Sequence, residues 1–124
     1  MLLRNVLIVE DDIEKSVQFY KELFGLQILL RQEGNVILSE GLVLQESKLW
    51  QETIEEVVSP YNNMTELYFE TSDMDELIMK YESGKYSIKY VTKLMTMESG
   101  QKLVRFYDPS GNLIEVRTPI HYNE

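Results

Sequence analysis

The chain has no cysteine and a single histidine among its 124 residues. Without cysteine there are no disulfides, no thiolate nucleophile and no cysteine-ligated metal, a composition that fits a reducing intracellular setting. The one histidine, His121, follows Pro119 near the C-terminus and is expected to be a surface residue rather than a ligand. No Ser/His/Asp or Cys/His nucleophile arrangement has convincing support in the sequence. Basic residues are also scarce: 12 Lys plus Arg against 21 Asp plus Glu give 12 − 21 = −9. Such a surface repels phosphate backbones and anionic lipid, so neither nucleic acid nor a membrane surface is an expected partner. Long apolar runs are missing. The first one is interrupted by Arg4 and Asn5 and ends at Glu10, too short for a secretory leader or a bilayer span. A cytoplasmic location is therefore expected. The six glycines are dispersed, with no phosphate-cradling loop and no low-complexity segment.

What the chain does contain is its own pattern twice. Asn5-Val6-Leu7-Ile8-Val9 through Asp12-Ile13 to Tyr20 aligns without a gap on Glu66-Leu67-Tyr68-Phe69-Glu70 through Asp73-Met74 to Tyr81. Further on, Gly41-Leu42-Val43-Leu44-Gln45 matches Gly111-Asn112-Leu113-Ile114-Glu115. An internal repeat constrains architecture before any element is assigned. Residues 3–10 read as a strand, and Ile13, Val17, Tyr20 and Phe24 recur at helical spacing up to Gly25. Asp11 is the expected cap, with Glu14 three residues on. Strands are expected at 26–31, 35–39 and 42–47, punctuated by Gly34 and Gly41. The second half repeats the order: a strand at 65–71, a helix near 73–83 capped by Ser72 and ended by Gly84, then strands near 87–96, 102–107 and 112–118. Asp108-Pro109-Ser110-Gly111 supplies turn chemistry between the last two. Residues 48–63 have no counterpart; Leu49, Thr53, Glu56 and Val57 allow one short helix there, before a linker at Ser59-Pro60-Tyr61-Asn62-Asn63. The expectation is an α+β fold in one domain spanning 1–124: module one 1–47, a connecting segment 48–63, and module two 64–124, each βαβββ.

The repeat also pairs four polar residues inside apolar strand runs, Asn5 with Glu66 and Gln45 with Glu115. Alternation along 65–71 puts Glu66, Tyr68 and Glu70 on one face, and along 112–117 it puts Leu113, Glu115 and Arg117 together. The apolar faces should pack beneath the helices, which turns Glu66 and Glu115 to the concave side. By the same parity Arg105 and Tyr107 join them. Arg105 has two readings: recognition of an anionic ligand group, or an internal ion pair with Glu66 or Glu115. Tyr68 and Tyr107 are candidate walls of a ligand site, and Trp50, from the unmatched segment, is a candidate cover.

The doubled βαβββ order, the segment Asp12-Ile13-Glu14-Lys15-Ser16 with Phe19-Tyr20, and the terminal Asp108-Pro109-Ser110-Gly111-Asn112-Leu113-Ile114-Glu115 resemble the vicinal oxygen chelate superfamily. That group includes glyoxalase I, fosfomycin-resistance thiol transferases, extradiol dioxygenases and the metal-free bleomycin-binding proteins. The resemblance covers nearly the whole chain. It implies curved mixed sheets enclosing a cavity, and metal ligands on the first and fourth strands of each module, here Asn5, Gln45, Glu66 and Glu115. It further implies a homodimer with sites at the interface, Asn5 and Gln45 of one chain facing Glu66 and Glu115 of the other; the alternative is pairing of the modules within one chain. The family's enzymes usually carry histidine at one or both first-strand positions, and this chain does not. Two functions follow. One is a metal-assisted lyase, isomerase or transferase acting on a small oxygen-rich substrate, with one divalent ion (Mg, Mn, Ni or Zn) and Glu66 or Glu115 as ligand or base. The other is a metal-free protein that sequesters a small molecule, as the bleomycin-resistance branch does.

Overall fold

Asp12 and Asp73, which the repeat aligns, begin the two repeat-related helices. In the computed structural model, which describes residues 1–120, the first half runs β1 (Val6–Glu10), α1 (Ile13–Phe24), β2 (Ile28–Gln32), β3 (Asn35–Leu38) and β4 (Leu42–Glu46), followed by α2 (Ser47–Ile54). The second runs β5 (Leu67–Glu70), α3 (Met74–Tyr81), β6 (Tyr90–Thr96), β7 (Lys102–Tyr107) and β8 (Leu113–Arg117). The fold is thus α+β, two βαβββ modules. Each forms a four-stranded mixed sheet, ordered β1-β4-β3-β2 and β5-β8-β7-β6. In both, the first and last strands pair in parallel and the others antiparallel. The chain divides into two compact units between Pro60 and Tyr61, so α2 belongs with the first unit and Tyr61 with the second.

The caps differ from expectation by one residue. An N-cap oxygen must reach the amide three residues on. Asp12 Oδ1 accepts from Lys15 N at 3.2 Å, and Asp73 Oδ1 accepts from Glu76 N at 3.0 Å. Asp11 and Ser72 each stand one residue too early for that reach, and the Glu14 carboxylate is held by Arg31 instead of closing a capping box. Gly25 closes α1 in the left-handed conformation (φ 69°) as its sequence position suggests, whereas α3 ends at Glu82, two residues before Gly84. The short helix of the unmatched segment starts at Ser47 because the Glu46 carboxylate accepts from Lys48 N and Leu49 N. It stops at Glu55 (φ 58°), leaving Glu56 and Val57 outside.

In the first unit, Val17, Phe19, Tyr20 and Leu23 of α1 are buried, as are Val36 and Leu38 of β3 and Leu42, Val43 and Leu44 of β4. In the second, Met74, Leu77 and Tyr81 of α3 are buried, as are Val104, Phe106, Ile114 and Val116. The Tyr81 ring stacks on Phe106 with centroids 4.2 Å apart, which identifies the helix-covered face of that sheet. Burial pushes the Tyr81 phenol above its ordinary range. Burial, followed by the hydrogen bond to Glu82, pushes Tyr90 up to about 12. Among the described residues no helix is long and apolar enough to cross a membrane. His121 lies outside the described residues.

Candidate functional site

The face of the second sheet opposite α3 carries the charge. With Val104, Phe106, Ile114 and Val116 turned toward the helix, alternation sends Leu103, Arg105 and Tyr107 of β7, and Leu113, Glu115 and Arg117 of β8, to the other side. Register then lines up one row across four strands: Tyr68 opposite Glu115, Glu115 opposite Arg105, Arg105 opposite Thr92. The turn between β7 and β8 sets that register. Asp108 Oδ1 accepts from Ser110 N and Asn112 N, both at 2.9 Å, and Gly111 N donates to Asp108 O at 3.1 Å. Gly111 takes φ 89°, and a Cβ there would lie 3.1 Å from the Tyr61 ring.

Glu115 is the hub of this row. Its side chain is 4% exposed, and both carboxylate oxygens are engaged by guanidinium groups. Arg105 Nε donates to Oε1 at 2.6 Å and Arg117 Nε donates to Oε2 at 2.8 Å. Arg105 Nη1 also donates to Thr92 Oγ1 at 3.2 Å. The Arg117 guanidinium carbon lies 5.5 Å from the centroid of the exposed Tyr68 ring, a cation–π contact. Short charge-assisted bonds of this kind are about twice as strong as neutral ones, so the three side chains hold one another in place.

Tyr107 sits on the same face, two residues from Arg105, with its hydroxyl already used. It donates to Asn63 Oδ1 at 2.6 Å, and its ring meets Tyr61 edge-on at 4.7 Å. Lys89 Nζ lies 3.9 Å from the Tyr61 centroid. Tyr61 and Asn63 both adopt left-handed backbone, φ 58° and 59°, which costs on the order of 1 kcal/mol for a non-glycine residue. Packing on Gly111 and Tyr107 stabilises that conformation.

The other candidates are placed differently. Glu66 is exposed and precedes β5, two residues before Tyr68, about 7 Å along the strand from the row that holds Glu115. In the first unit Gln45 is buried, but its Nε2 donates to the Gly34 carbonyl at 3.0 Å and so braces the β2–β3 hairpin. Asn5 is exposed and precedes β1. It lies four residues from Val9, the residue opposite Gln45, about 13 Å along the strand. The two modules also differ in register. Tyr68 lies opposite Glu115, whereas Leu7, its repeat equivalent, lies opposite Val43. Trp50 is half-buried on α2.

A divalent ion needs free, basic oxygen donors converging at about 2–2.5 Å. Glu115 does not offer them: each oxygen already faces a guanidinium, and an incoming cation would have to displace one of two positive charges. Among the described residues no three His, Cys, Asp or Glu side chains group around a possible metal position. The donor set does not fit a metal. Its chemistry is instead that of two guanidiniums sharing one carboxylate counter-ion. Arg117, absent from the sequence-based candidates, is half of it; its place two residues from Glu115 on the same strand face was the available signal. Thr92 had none, because β6 carries two register irregularities against β7.

Residues 3–121 match the family model described as a glyoxalase-like domain. An uncharacterized protein of Aquifex aeolicus (strain VF5) is 30% identical over 82 residues, covering 66% of this chain and 63% of that protein. This chain therefore spans less than two thirds of that relative's length. Among solved structures, a protein of unknown function from Agrobacterium tumefaciens str. C58 superposes with a TM-score of 0.80 at 29% identity, covering 96% of this chain and 94% of that one. A lactoylglutathione lyase from Agrobacterium tumefaciens gives 0.67 at 20% identity, over 94% and 92% of the two chains, a likeness of fold.

Proposed function

The chain belongs to the glyoxalase-like domain family, within the vicinal oxygen chelate superfamily, and from that premise we propose that it is a metal-independent small-molecule-binding protein of the bleomycin-resistance type. One observation carries the reading. The carboxylate on the family's last ligand strand, Glu115, has both oxygens bound to arginine Nε atoms and serves as an internal counter-ion. A buried carboxylate so held is a poor metal ligand, because an incoming cation would have to displace one of its two guanidinium partners. Glu66, the other candidate base, is exposed and precedes β5, two residues before the row that holds Glu115.

On this reading the second sheet binds its ligand through Arg105 and Arg117, with Tyr68 beside them and Tyr107 at the end of the face. The test is a thermal-shift screen of small organic acids and aromatic compounds, followed by mass spectrometry of each hit after incubation with the protein. The hit should be recovered unchanged, with or without added Mn²⁺, Ni²⁺ or Zn²⁺. Metal-dependent conversion of the hit to a product would overturn the reading in favour of the lyase or isomerase.

We also propose that the protein works as a homodimer. Support comes from the outer strand of each sheet, which leaves apolar side chains in water: Leu29 (65% exposed) and Leu30 (48%) on β2, Val91 (50%) and Met95 (46%) on β6. Unpaired edges with apolar side chains are surfaces that proteins usually cover. Light scattering should give twice the 14.6 kDa chain mass; a stable monomer at micromolar concentration would refute the dimer.

A further inference from the structure

We infer that the ligand is a small planar organic acid with one negative charge, a carboxylate, seated on the outer edges of Arg105 and Arg117 with its flat body against Tyr68. The inference rests on the metal-independent reading of the same site and adds the ligand class.

A guanidinium carries five N–H groups. Arg117 uses its Nε on Glu115, and Arg105 uses its Nε on Glu115 and Nη1 on Thr92. Among the described residues, both terminal nitrogens of Arg117 and Nη2 of Arg105 have no hydrogen-bond partner. Both side chains are only partly exposed, 32% for Arg105 and 23% for Arg117, so these donors are neither buried waste nor freely mobile surface groups. One carboxylate pins both guanidiniums at their inner edge, which leaves the outer edges presented together on one sheet face. Pre-organised guanidinium edges match carboxylate geometry.

Charge selects among anions. Two arginines and the one glutamate in contact with both give 2 − 1 = +1 for the hydrogen-bonded cluster, and the exposed Glu70 opposite Arg117 in register lowers the local positive field further. A monoanion brings the cluster to zero. A phosphate monoester, close to −2 near neutral pH, overshoots, and the exposed Glu66 and Glu70 on the same face repel the excess. A divalent cation meets the wrong sign. Shape comes from Tyr68, opposite Glu115 in the same row, 53% exposed and already beneath the Arg117 guanidinium. A planar acid reaching both arginines can lie against that ring. Glu115 is a positioning residue here, since it acts through the arginines.

The experiment follows the arginine Nε–Hε resonances of the full-length protein by ¹⁵N NMR, assigned with Arg105→Lys and Arg117→Lys. Probes are benzoate, acetate, phenyl phosphate, benzamidine and Mn²⁺. Benzoate should shift both resonances saturably, while benzamidine leaves them unmoved. Benzoate should bind more tightly than acetate by about three- to tenfold, the size of an aromatic contact, and Tyr68→Ala should erase that difference. Arg117→Gln should weaken benzoate about tenfold or more, as loss of a charged hydrogen-bonding partner does. Glu115→Gln should broaden both Nε–Hε signals while backbone amide dispersion persists, which a purely structural role would not produce. Phenyl phosphate binding tenfold tighter than benzoate would overturn the monoanion choice. No shift with any anion, with Mn²⁺ also silent, would overturn the ligand class and leave the metal-independent reading standing. Mn²⁺ broadening centred on Glu115 would instead bring down that underlying reading.

Discussion

Glu115→Gln separates the two roles a glutamate at this position can play, because they predict opposite signs for stability. If Glu115 is the hub, the amide fails it twice. Its oxygen can still accept from one guanidinium, but as a neutral acceptor. Its nitrogen then faces the second Nε–H donor to donor, so that bond is lost. The side chain is 4% exposed, so water cannot take over. A hydrogen bond to a charged group contributes about 1.5–3 kcal/mol, and converting the other to a neutral acceptor costs roughly a further 1 kcal/mol. The arginines are partly hydrated, which screens the loss and favours the lower half of the sum, about 2.5–3 kcal/mol. Over 124 residues, an unfolding entropy of roughly 2.1 cal/mol/K each gives about 0.26 kcal/mol/K, so the expected fall in Tm is about 10–12 °C. Circular dichroism melts and urea titrations measure this directly. A carboxylate kept free for metal or proton transfer behaves otherwise, since neutralising a functional charge usually leaves stability unchanged or raises it. An unchanged or increased Tm for Glu115→Gln would refute the counter-ion argument.

The helix caps can be tested pairwise. Asp12→Ala and Asp73→Ala should each lower stability by about 1 kcal/mol, whereas Asp11→Ala and Ser72→Ala should change urea midpoints little. At alkaline pH, folding holds the proton on Tyr90 up to about 12, while in the unfolded chain it leaves near pH 10. Between those values the native state binds the extra proton, so this contribution is full below pH 10 and is lost as pH rises toward 12. Melts across that window should show declining Tm, and Tyr90→Phe should flatten the decline; an undiminished slope would contradict the assignment.

The fold was legible because local signals agreed with one another. The gapless match of Val6–Tyr20 on Leu67–Tyr81 reflects two helices capped by equivalent aspartates above equivalent strands. Cap positions slipped by one because Asp11-Asp12 and Ser72-Asp73 each offer adjacent capping side chains, and only backbone geometry selects between them. The site was half legible. Strand parity puts Arg105, Glu115 and Tyr107 on one face, but parity gives the side of a sheet and not the position along it. The match of Gly41–Gln45 on Gly111–Glu115 suggests that Gln45 and Glu115 are equivalent, yet pairing with the first strands places them two residues apart. Which partner compensates Glu115 depends on cross-strand register, fixed by the Asp108–Gly111 turn and the irregularities of β6. Arg105 paired to Glu115 was one of two readings the sequence left open; parity put Arg117 on the same face two residues away, and three-dimensional packing adds its bond to the second carboxylate oxygen.

The most direct measurement is elemental analysis for Mg, Mn, Ni and Zn on untagged protein purified without chelators. An arginine-locked Glu115 predicts only trace, non-stoichiometric amounts of each, unchanged by Glu115→Ala. One equivalent of a single divalent metal per chain, lost on Glu115→Ala, would contradict the account.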